Sequence, residues 1–580
     1  MKANIKKIAV FAFMAFTLII SVAFLPVPAD AASAAVFNDS YEKTIDLKIL
    51  GLVANSPGNF DLDRAPNRIE GAVMLIRLLG KEKQVKQGNY SHPFTDVPSW
   101  AKNYVGYMYE NKLTKGVGNN RFGSYEPVTA RQFVTFVLRS AGYEENRDFT
   151  FDKVMDKAKE ISLLSEAEIS ALDKQGVFLR KEMFAISYGA LSIKLKGTSL
   201  TLLDKLVSDN FIFKPAAKAL GLYTYDIAAE LGNPEKYDKP LTKNGYVAEN
   251  SEDLFRLLRR SLYLFEESVN IDISRYNGSA TNDFEGALNR ALQVVTEITG
   301  VNNFADSWKW SLRSDSPSLK VTLSYRYSKN EYNRRKKNVT EALNKARHIV
   351  AGSISADMSD FQKEKILHDY IVNNTRYDYE NYLNNTLSDE SFEEYGCLVL
   401  GVAVCQGYSE AMKLLCDLSG IECMIVGGET NNEGRWESHS WNIVKIDGSY
   451  YHLDVTNDDP IMADGSNVLK YDYFNLSDDE MAIENRWDRS KYPACRSLKG
   501  GYHHMNGLIA ENKKEFEQKV AEAISNRKPA IELKVLDYSK TRYSDTSIRN
   551  TIIKSGAVSK YSIMIHNKLG VIRIFNITYS

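Results

Sequence analysis

Three residues in the middle of the chain, Cys405, His439 and Asp454, are of types that can together catalyse acyl transfer. A cysteine thiol becomes a strong nucleophile when an imidazole takes or stabilises its proton. A carboxylate that hydrogen-bonds the imidazole orients the ring and fixes its tautomer. This chemistry requires the three side chains to meet, so it depends on the elements that carry them.

Cys405 is predicted to stand at the start of a helix. Residues 411–418 carry apolar side chains at helical spacing, and Gly420 supplies the left-handed conformation in which helices commonly end. Free backbone N–H groups and the helix dipole at the N-terminus stabilise a thiolate and can hold a developing oxyanion. The alternative is a buried structural cysteine.

His439 and Asp454 are predicted to lie on the two strands of a hairpin. An Asp-Gly pair at 447–448 separates the strand patterns 438–446 and 449–456, which is a strong hairpin signal. A two-residue loop makes His439 and Asp454 diagonal neighbours on one face, roughly 7–8 Å apart at Cα. A slip of one residue would place them on opposite faces, so the geometry depends on this turn.

The motifs around these residues resemble those of the transglutaminase-like superfamily, over the stretch from Tyr377 to Thr456. They read Val404-Cys405-Gln406-Gly407-Tyr408, Ser438-His439-Ser440-Trp441-Asn442 and Tyr451-His452-Leu453-Asp454-Val455-Thr456. The resemblance implies a papain-like α+β fold, with Cys405 as nucleophile, His439 as general base and acid, and Asp454 as orienting carboxylate. The positions expected next to the substrate are Gln406, Tyr408, Trp441 and Asn442. No cofactor or metal is expected.

The expected reaction is acyl transfer from an amide of a protein or peptide substrate through a thioester. Hydrolysis is slightly favoured over cross-linking, because the cross-linking branch of the superfamily has a Trp before its cysteine and the stretch from Tyr395 to Val404 has none. The alternative is a non-catalytic surface scaffold or adhesion protein that uses the same fold for binding.

Other residues compete for a chemical role. His452 shares a strand face with Asp454 and is the main rival of His439, but its neighbours indicate strand core and a supporting role. The pair Asp458-Asp459 lacks the spaced oxygen ligands of a calcium loop. His503-His504 resembles a metal pair and is interpreted as surface-exposed.

All five cysteines lie between 397 and 495. An exported domain usually pairs its cysteines, and an odd number leaves at least one thiol unpaired in the chain. Cys416 and Cys423 are expected to pack in the core or to form a mutual disulfide, and the states of Cys397 and Cys495 stay open.

Residues 1–31 are predicted to be a secretory signal peptide. Three lysines precede an apolar run from Ile8 to Leu25, and Ala29-Asp30-Ala31 supplies small residues for cleavage. An uncleaved anchor is the alternative. The prediction is therefore export, with no transmembrane segment after cleavage.

The segment 36–198 is similar to S-layer homology repeats. The similarity is clearest for Pro93–Tyr143, fair for Phe37–Lys81 and weakest for Phe149–Leu195. The similarity implies a pseudo-threefold helical bundle that attaches exported proteins to cell-wall polysaccharide, and hence a location at the surface of a Gram-positive-type bacterium. The residues assigned to polymer binding are Arg68, Trp100, Arg131 and Arg180. A degenerate bundle that no longer binds the wall is the alternative.

A second repeat needs no family resemblance. Asn244–Asn250 recurs as Asn506–Asn512, and the match continues at constant offset through a helix and a half-buried strand. It predicts two copies of a small α/β module, residues 244–330 and 506–580, whose function the pattern leaves unknown.

The predicted fold is multidomain: an N-terminal all-α S-layer homology-like bundle, then an α+β transglutaminase-like domain flanked by the two small modules. The remaining predicted boundaries are a linker at 199–243 and the catalytic domain at 340–500. The basic run Arg334–Lys337 is expected to be solvated linker. A formal net charge of -1 gives no global attraction to nucleic acid, so none is expected as a partner.

Overall fold

The computed structural model describes residues 36–54, 60–222, 246–301, 304–312, 317–432, 434–460, 469–556 and 558–579. The predicted signal peptide lies outside these ranges. None of the helices in the described ranges is long and apolar enough to cross a membrane.

The N-terminal region up to residue 222 is a bundle of short helices. Several begin at a capping box, with Asn67, Thr129 or Ser165 at the cap position. The cap side chain accepts a hydrogen bond from the backbone N–H three residues later, and the Glu or Gln side chain at that position accepts one from the backbone N–H of the cap residue. The helices are α1 (Ser40–Ile49), α2 (Arg68–Leu78), α3 (Glu82–Gln87), α4 (Lys102–Glu110), α5 (Ala130–Ser140), α6 (Val154–Glu160), α7 (Glu166–Gln175), α8 (Arg180–Ala190), α9 (Leu202–Ser208) and α10 (Lys214–Ala219).

The last two of these helices correct the linker prediction. Residues 201–222 are packed rather than extended, because α9 and α10 bury Leu202, Leu206 and Ala217. The apolar side chains face the bundle and the central domain instead of solvent. The linker prediction is therefore wrong for this part, and residues 223–243 lie outside the described ranges.

A five-stranded antiparallel sheet forms the centre of the next region, with strand order β10-β9-β8-β7-β11. Its strands are β7 (Cys423–Asn432), β8 (Arg435–Ile446), β9 (Ser449–Leu453), β10 (Phe474–Leu476) and β11 (Asn485–Trp487). The helices of this region are α13 (Lys329–Ser353), α14 (Asp360–Asn374), α15 (Tyr379–Asn384), α16 (Cys405–Ser419), α17 (Asp478–Met481) and α18 (Tyr502–Met505). A short parallel pair, β5 (Arg376–Tyr377) and β6 (Val402–Ala403), lies just before α16. Helix α16 packs on β7 and β8 and on α13 and α14.

The basic run Arg334–Lys337 belongs to α13, so the linker interpretation of this run is also wrong. Arg335 is buried and forms ion pairs with Asp389 and Glu393, while Arg334 pairs with Glu390. The charges of these two arginines are neutralised by an acidic loop that follows α15. The run therefore fastens α13 to the central domain.

Two four-stranded sheets precede and follow the central region in sequence. The upstream sheet, in the order β1-β2-β4-β3, contains β1 (Tyr246–Val247), β2 (Ser268–Asp272), β3 (Ala305–Leu312) and β4 (Ser318–Tyr325). The downstream sheet, in the order β12-β13-β15-β14, contains β12 (Ile509–Ala510), β13 (Ile531–Val535), β14 (Val558–His566) and β15 (Val571–Tyr579). Their helices are α11 (Ser251–Leu264), α12 (Ala280–Thr299), α19 (Lys513–Ser525) and α20 (Asp545–Ser555).

The two sheets share their pairing pattern. In each, the first two strands pair in parallel and the remaining pairs are antiparallel. The edge strands β1, β3, β12 and β14 have no counterpart in the predicted modules, which contain two strands each.

Candidate active site

Cys405 is the first residue of α16. Val404, at the cap position, is extended and offers no side-chain cap, so the first N–H groups of the helix have no intrahelical partner. Gly407 permits the close approach of this turn to the preceding loop, because a Cβ there would lie 2.7 Å from the carbonyl oxygen of Ser391. Gly420 ends the helix in the left-handed conformation, as predicted.

The hairpin has the register predicted from the sequence. Asp447 and Gly448 both have positive φ, 47° and 81°, which is typical of a type I′ turn. Ile446 pairs with Ser449, and the pairing continues to the end of β9 at Leu453. The strand therefore ends immediately before Asp454.

The structure brings His439 and Asp454 into direct contact. His439 Nε2 lies 2.7 Å from Asp454 Oδ2. Asp454 is fully buried and also accepts hydrogen bonds from the backbone and side-chain nitrogens of Asn457, at 3.1 and 2.7 Å. Its backbone N–H donates to Tyr473. The carboxylate is thus held from three directions and can orient the imidazole.

His439 also interacts with Cys405, which lines the same cleft. Because Nε2 contacts Asp454, Nδ1 is the ring nitrogen left for the thiol. Burial lowers the pKa of His439, but the charge and hydrogen bond of Asp454 and the interactions with Cys405 raise it to about 10. These contacts favour the protonated, imidazolium form of His439.

The Cys405 and His439 side chains line a cleft of about 720 Å³. Gln406, predicted to be next to the substrate, lines it as well. Among the described residues, no Lys or Arg lines the cleft, and its walls include aromatic and acidic side chains: Tyr377, Tyr382, Phe392, Glu437, Tyr473 and Glu484. Of these residues only Glu437 adjoins a catalytic motif in the chain, and the sequence gives no signal that the other five line the cleft.

The other three predicted substrate-adjacent residues are buried behind the cleft wall, so that prediction is corrected. Tyr408, Trp441 and Asn442 are each 1% exposed. The Tyr408 hydroxyl donates to Asp459 at 2.6 Å, and the Asn442 side chain donates to the Ser409 carbonyl at 3.0 Å. They hold the walls together instead of contacting a ligand.

Asp458 and Asp459 are both engaged by protein groups. His368 Nε2 lies 3.2 Å from Asp458 Oδ2, and both side chains are fully buried. These contacts tie the loop that follows Asp454 to α14. His368 was missed by the sequence analysis, because the pairing joins residues far apart in the chain.

Two clusters contain metal-ligand residue types in the described part of the chain. In the cluster of Asp472, His503 and Glu532, Arg573 already bonds both carboxylates, at 3.0 and 2.7 Å. His503 is 3% exposed and bonds Glu532, so its interpretation as a surface residue is wrong. The site therefore holds a guanidinium in the position a cation would take.

The second cluster consists of His452, Asp478 and Cys495. Trp441 Nε1 donates to His452 Nδ1 at 2.9 Å, so the ring proton of His452 is on Nε2, the nitrogen that faces Asp478. A metal-bound histidine donates through its other nitrogen, which this contact does not allow. The cluster does not fit a metal ion.

The five thiols are all free. Cys405 is partly exposed and the other four are buried. Cys416 and Cys423 interact with one another, and this contact together with burial raises the pKa of Cys416 well above its usual value. Cys416 and Cys423 are therefore packed in the core and are not joined by a disulfide.

The predicted wall-binding residues separate into three locations. Trp100 is 59% exposed and lines a groove of about 290 Å³ together with Arg180, Glu70 and Arg77. Arg131 lies elsewhere and pairs with Asp173 at 3.4 Å.

Arg68 does not reach this groove. It is 6% exposed, and its guanidinium lies over the rings of Phe122 and Phe136, at 5.2 and 4.8 Å. Its assignment to polymer binding is corrected to a core role, because the aromatic rings enclose it.

The family comparisons match two segments. Residues 347–455 match the model of the transglutaminase-like superfamily, and residues 93–129 match that of the S-layer homology domain. A solved structure described as a crystal structure of a TGase is 15% identical, with a TM-score of 0.18, and the match covers 42% of this chain and 64% of that one. This likeness is too low to support an inference.

Three curated relatives are surface proteins by name. The "Middle cell wall protein" of Brevibacillus brevis is 30% identical over 24% of this chain and 14% of that protein. The "Surface layer protein" of Brevibacillus choshinensis is 28% identical over 35% of this chain and 19% of that protein. The "Cell surface protein" of Thermoanaerobacter kivui is 46% identical over 9% of this chain and 7% of that protein.

The aligned segments thus span less than a fifth of the length of each of these relatives. The family matches nevertheless agree with the motifs around Cys405 and with the helical N-terminal region. The chain therefore contains a transglutaminase-like domain and an S-layer homology domain, and these matches support a location at the cell surface.

Proposed function

We propose that this chain is a cell-surface cysteine enzyme that transfers acyl groups from protein or peptide amides through a thioester, with Cys405, His439 and Asp454 as its catalytic triad. The supporting observation is the 2.7 Å contact between His439 Nε2 and Asp454 Oδ2, made by a histidine that lines the same cleft as Cys405. These groups lie at an open cleft large enough for a peptide segment.

In the first step, the Cys405 thiolate attacks the amide carbonyl carbon. The backbone N–H groups at the start of α16 stabilise the negative charge on the oxygen. His439 gives its Nδ1 proton to the departing amine nitrogen, and the carbon–nitrogen bond breaks. The products are a thioester on Cys405 and a free amine.

In the second step, water or an amine attacks the thioester. Neutral His439 accepts the proton of the attacking group, and the thiolate leaves. Asp454 holds the ring in one tautomer throughout. Hydrolysis is the favoured outcome, because no Trp precedes Cys405 in the segment 395–404.

The S-layer homology region is proposed to attach the chain to cell-wall polysaccharide at the groove of Trp100 and Arg180. An exposed indole beside a guanidinium offers an apolar face and a positive charge to an anionic sugar polymer. Arg131, in a separate location, is proposed as a secondary contact. Binding of the full chain to purified cell walls should fall in a Trp100→Ala, Arg180→Ala double variant, with Arg131→Ala as the smaller change. Unchanged binding by the double variant would contradict this site.

The upstream and downstream sheets are proposed to be two copies of one small α/β unit. The shared strand order and the repeated Asn–Gly segment support this. The catalytic unit then corresponds to residues between them.

The second candidate function is a non-catalytic surface scaffold or adhesion protein. It is favoured by the relatives, whose names describe wall and surface-layer proteins and no enzyme.

One experiment separates the two candidates and also identifies the acceptor. The full chain is incubated with Gram-positive cell-surface proteins and peptidoglycan peptides, either with a fluorescent primary amine or in ¹⁸O-labelled water. Enzyme activity predicts Cys405-dependent ¹⁸O in new carboxylates, and amine incorporation would indicate cross-linking. Wild type, Cys405→Ala and His439→Ala are compared. If wild type and Cys405→Ala give identical products, the enzyme proposal is wrong and the non-catalytic scaffold is favoured.

A further inference from the structure

A second histidine–carboxylate pair lies behind His439. His452 is fully buried, and its Nε2 lies 3.0 Å from Asp478 Oδ1. Its Nδ1 accepts the Trp441 indole N–H at 2.9 Å. An indole N–H can only donate, so Nδ1 of His452 accepts with its lone pair. The ring proton is therefore on Nε2, which donates a hydrogen bond to Asp478. Both ring nitrogens are thus used, and the tautomer is fixed.

Asp478 is itself anchored. Its Oδ2 accepts the Cys495 N–H at 3.1 Å, and its own N–H donates to the Cys495 carbonyl at 2.7 Å. Burial lowers the pKa of His452, so this ring stays neutral while His439, with its raised pKa, carries charge. The two histidines lie on neighbouring strands and on the same face of the sheet, but their pKa values are shifted in opposite directions.

Trp441 connects the two histidines. Its ring stacks beside His439 with centroids 5.8 Å apart and an interplanar angle of 27°. Trp487 meets it edge-on at 5.7 Å, and a Cβ at Gly428 would lie 2.6 Å from the indole. The indole is enclosed on these sides, and its polar edge is held by His452. Little freedom is left for it to tilt, and the imidazole of His439 lies against it.

We propose that His452, fixed by Asp478, is a positioning residue for His439, because it holds the indole of Trp441 against which the His439 ring stacks. The inference rests on the proposed function, since the angle of His439 matters to chemistry only if it serves Cys405. His452 itself touches neither the thiol nor the cleft. Its role is to keep Nδ1 of His439 directed at Cys405.

The test is the rate of Cys405 alkylation by iodoacetamide in the full chain, from about pH 6 to about pH 9, read by peptide mass spectrometry. His452→Leu removes both hydrogen bonds at similar volume. His452→Gln is the matched control, since its amide oxygen can accept from Trp441 and its NH₂ can donate to Asp478. His439→Ala gives the profile expected without a catalytic imidazole.

The expected result is that His452→Leu slows alkylation near neutral pH by about tenfold and moves the pH profile toward that of His439→Ala. His452→Gln should recover most of the wild-type profile. A folded His452→Leu variant with the wild-type profile overturns the inference, even if its melting temperature falls, because lost stability alone does not move the profile.

If His452→Leu does not fold, Asp478→Asn decides the matter. It weakens the charge-assisted bond to His452 and should move the profile in the same direction by a smaller amount. A wild-type profile in folded Asp478→Asn would then overturn the inference. A wild-type chain whose profile does not depend on His439 would instead contradict the proposed function, so the two failures are distinguishable.

Discussion

The upstream and downstream sheets have the same strand order, but they differ in what they pack against. Leu569, between β14 and β15, and Val571 of the downstream sheet lie in one apolar cluster with Trp441 of the central sheet. The upstream sheet buries its apolar side chains with those of α11 and α12 and with Tyr332 of α13. Within the described residues, the downstream sheet is thus part of the support of the candidate active site, and the upstream sheet forms a separate core.

Charged contacts follow the same division. Arg573 of the downstream sheet pairs with Asp472 of the central region, and Lys534 pairs with Glu480. In the upstream region, Arg290 pairs with Glu252 between two of its own helices. Similar folds therefore acquire different roles through the residues on their surfaces, and not through strand order.

Replacing Arg573 with Met is expected to give the largest difference in the free energy of unfolding between a downstream variant and its upstream counterpart. Asp472, 2% exposed, would become a buried charge without its partner, at a cost of about 3–5 kcal/mol in the free energy of unfolding. The matched change Arg290→Met removes an exposed pair and should cost about 0.2–1 kcal/mol. Urea unfolding of both variants measures the difference, and equal losses would contradict the distinct role of the downstream sheet.

Replacing Leu569 with Ala should lower both the free energy of unfolding and the rate of Cys405 alkylation. Leu569 and Leu323, 5% and 3% exposed, are core residues of the downstream and upstream regions. Truncation of either should cost about 2–5 kcal/mol. Only Leu569→Ala should slow Cys405 alkylation, because Leu569 shares a cluster with Trp441. The contrast fails if Leu323→Ala slows it equally or if neither variant does.

The smallest expected effect is on acid stability. Burial raises the pKa of Asp472 and of Glu532, but hydrogen bonds and charges from Arg573 and His503 lower both below their usual 3.8 and 4.5. Carboxyls with depressed pKa stabilise the fold above those usual values, and the contribution is lost as pH falls through the folded pKa. The free energy of unfolding should therefore fall more steeply below about pH 4.5 in wild type than in Arg573→Met. Parallel curves would show that this cluster does not set acid stability.

The sequence predicted the part of the site that depends on local rules. An Asp-Gly turn sets a hairpin register, and that register determines that His439 and Asp454 share a face. Gly420 and the apolar stripe likewise predict α16. These features need only neighbours in sequence, so their physics is visible there.

Long-range packing decided what the sequence did not show. Trp441 shares a face with His439, but it is buried in an apolar cluster that also includes Leu569 and Val571, so the indole supports the site instead of lining it. Arg335 belongs to a run of charges that gives no sign of its acidic partners, 54 and 58 residues away. The edge strands give weak sequence signals, because β1 and β12 have only two residues each and burial does not alternate along β3 and β14.

The central claim is that His439 activates Cys405, and the most direct test is the pH dependence of Cys405 alkylation in the full chain, with wild type compared to His439→Ala. The buried thiols are internal controls, because burial raises the pKa of Cys397 and of Cys495 to about 12. Wild-type Cys405 should react rapidly at neutral pH and below, since His439, with its pKa raised to about 10, stays protonated beside it. In His439→Ala the reaction should require a pH near ~8.5, where an ordinary thiol ionises. A Cys405 that reacts like an ordinary thiol in both proteins would contradict the account.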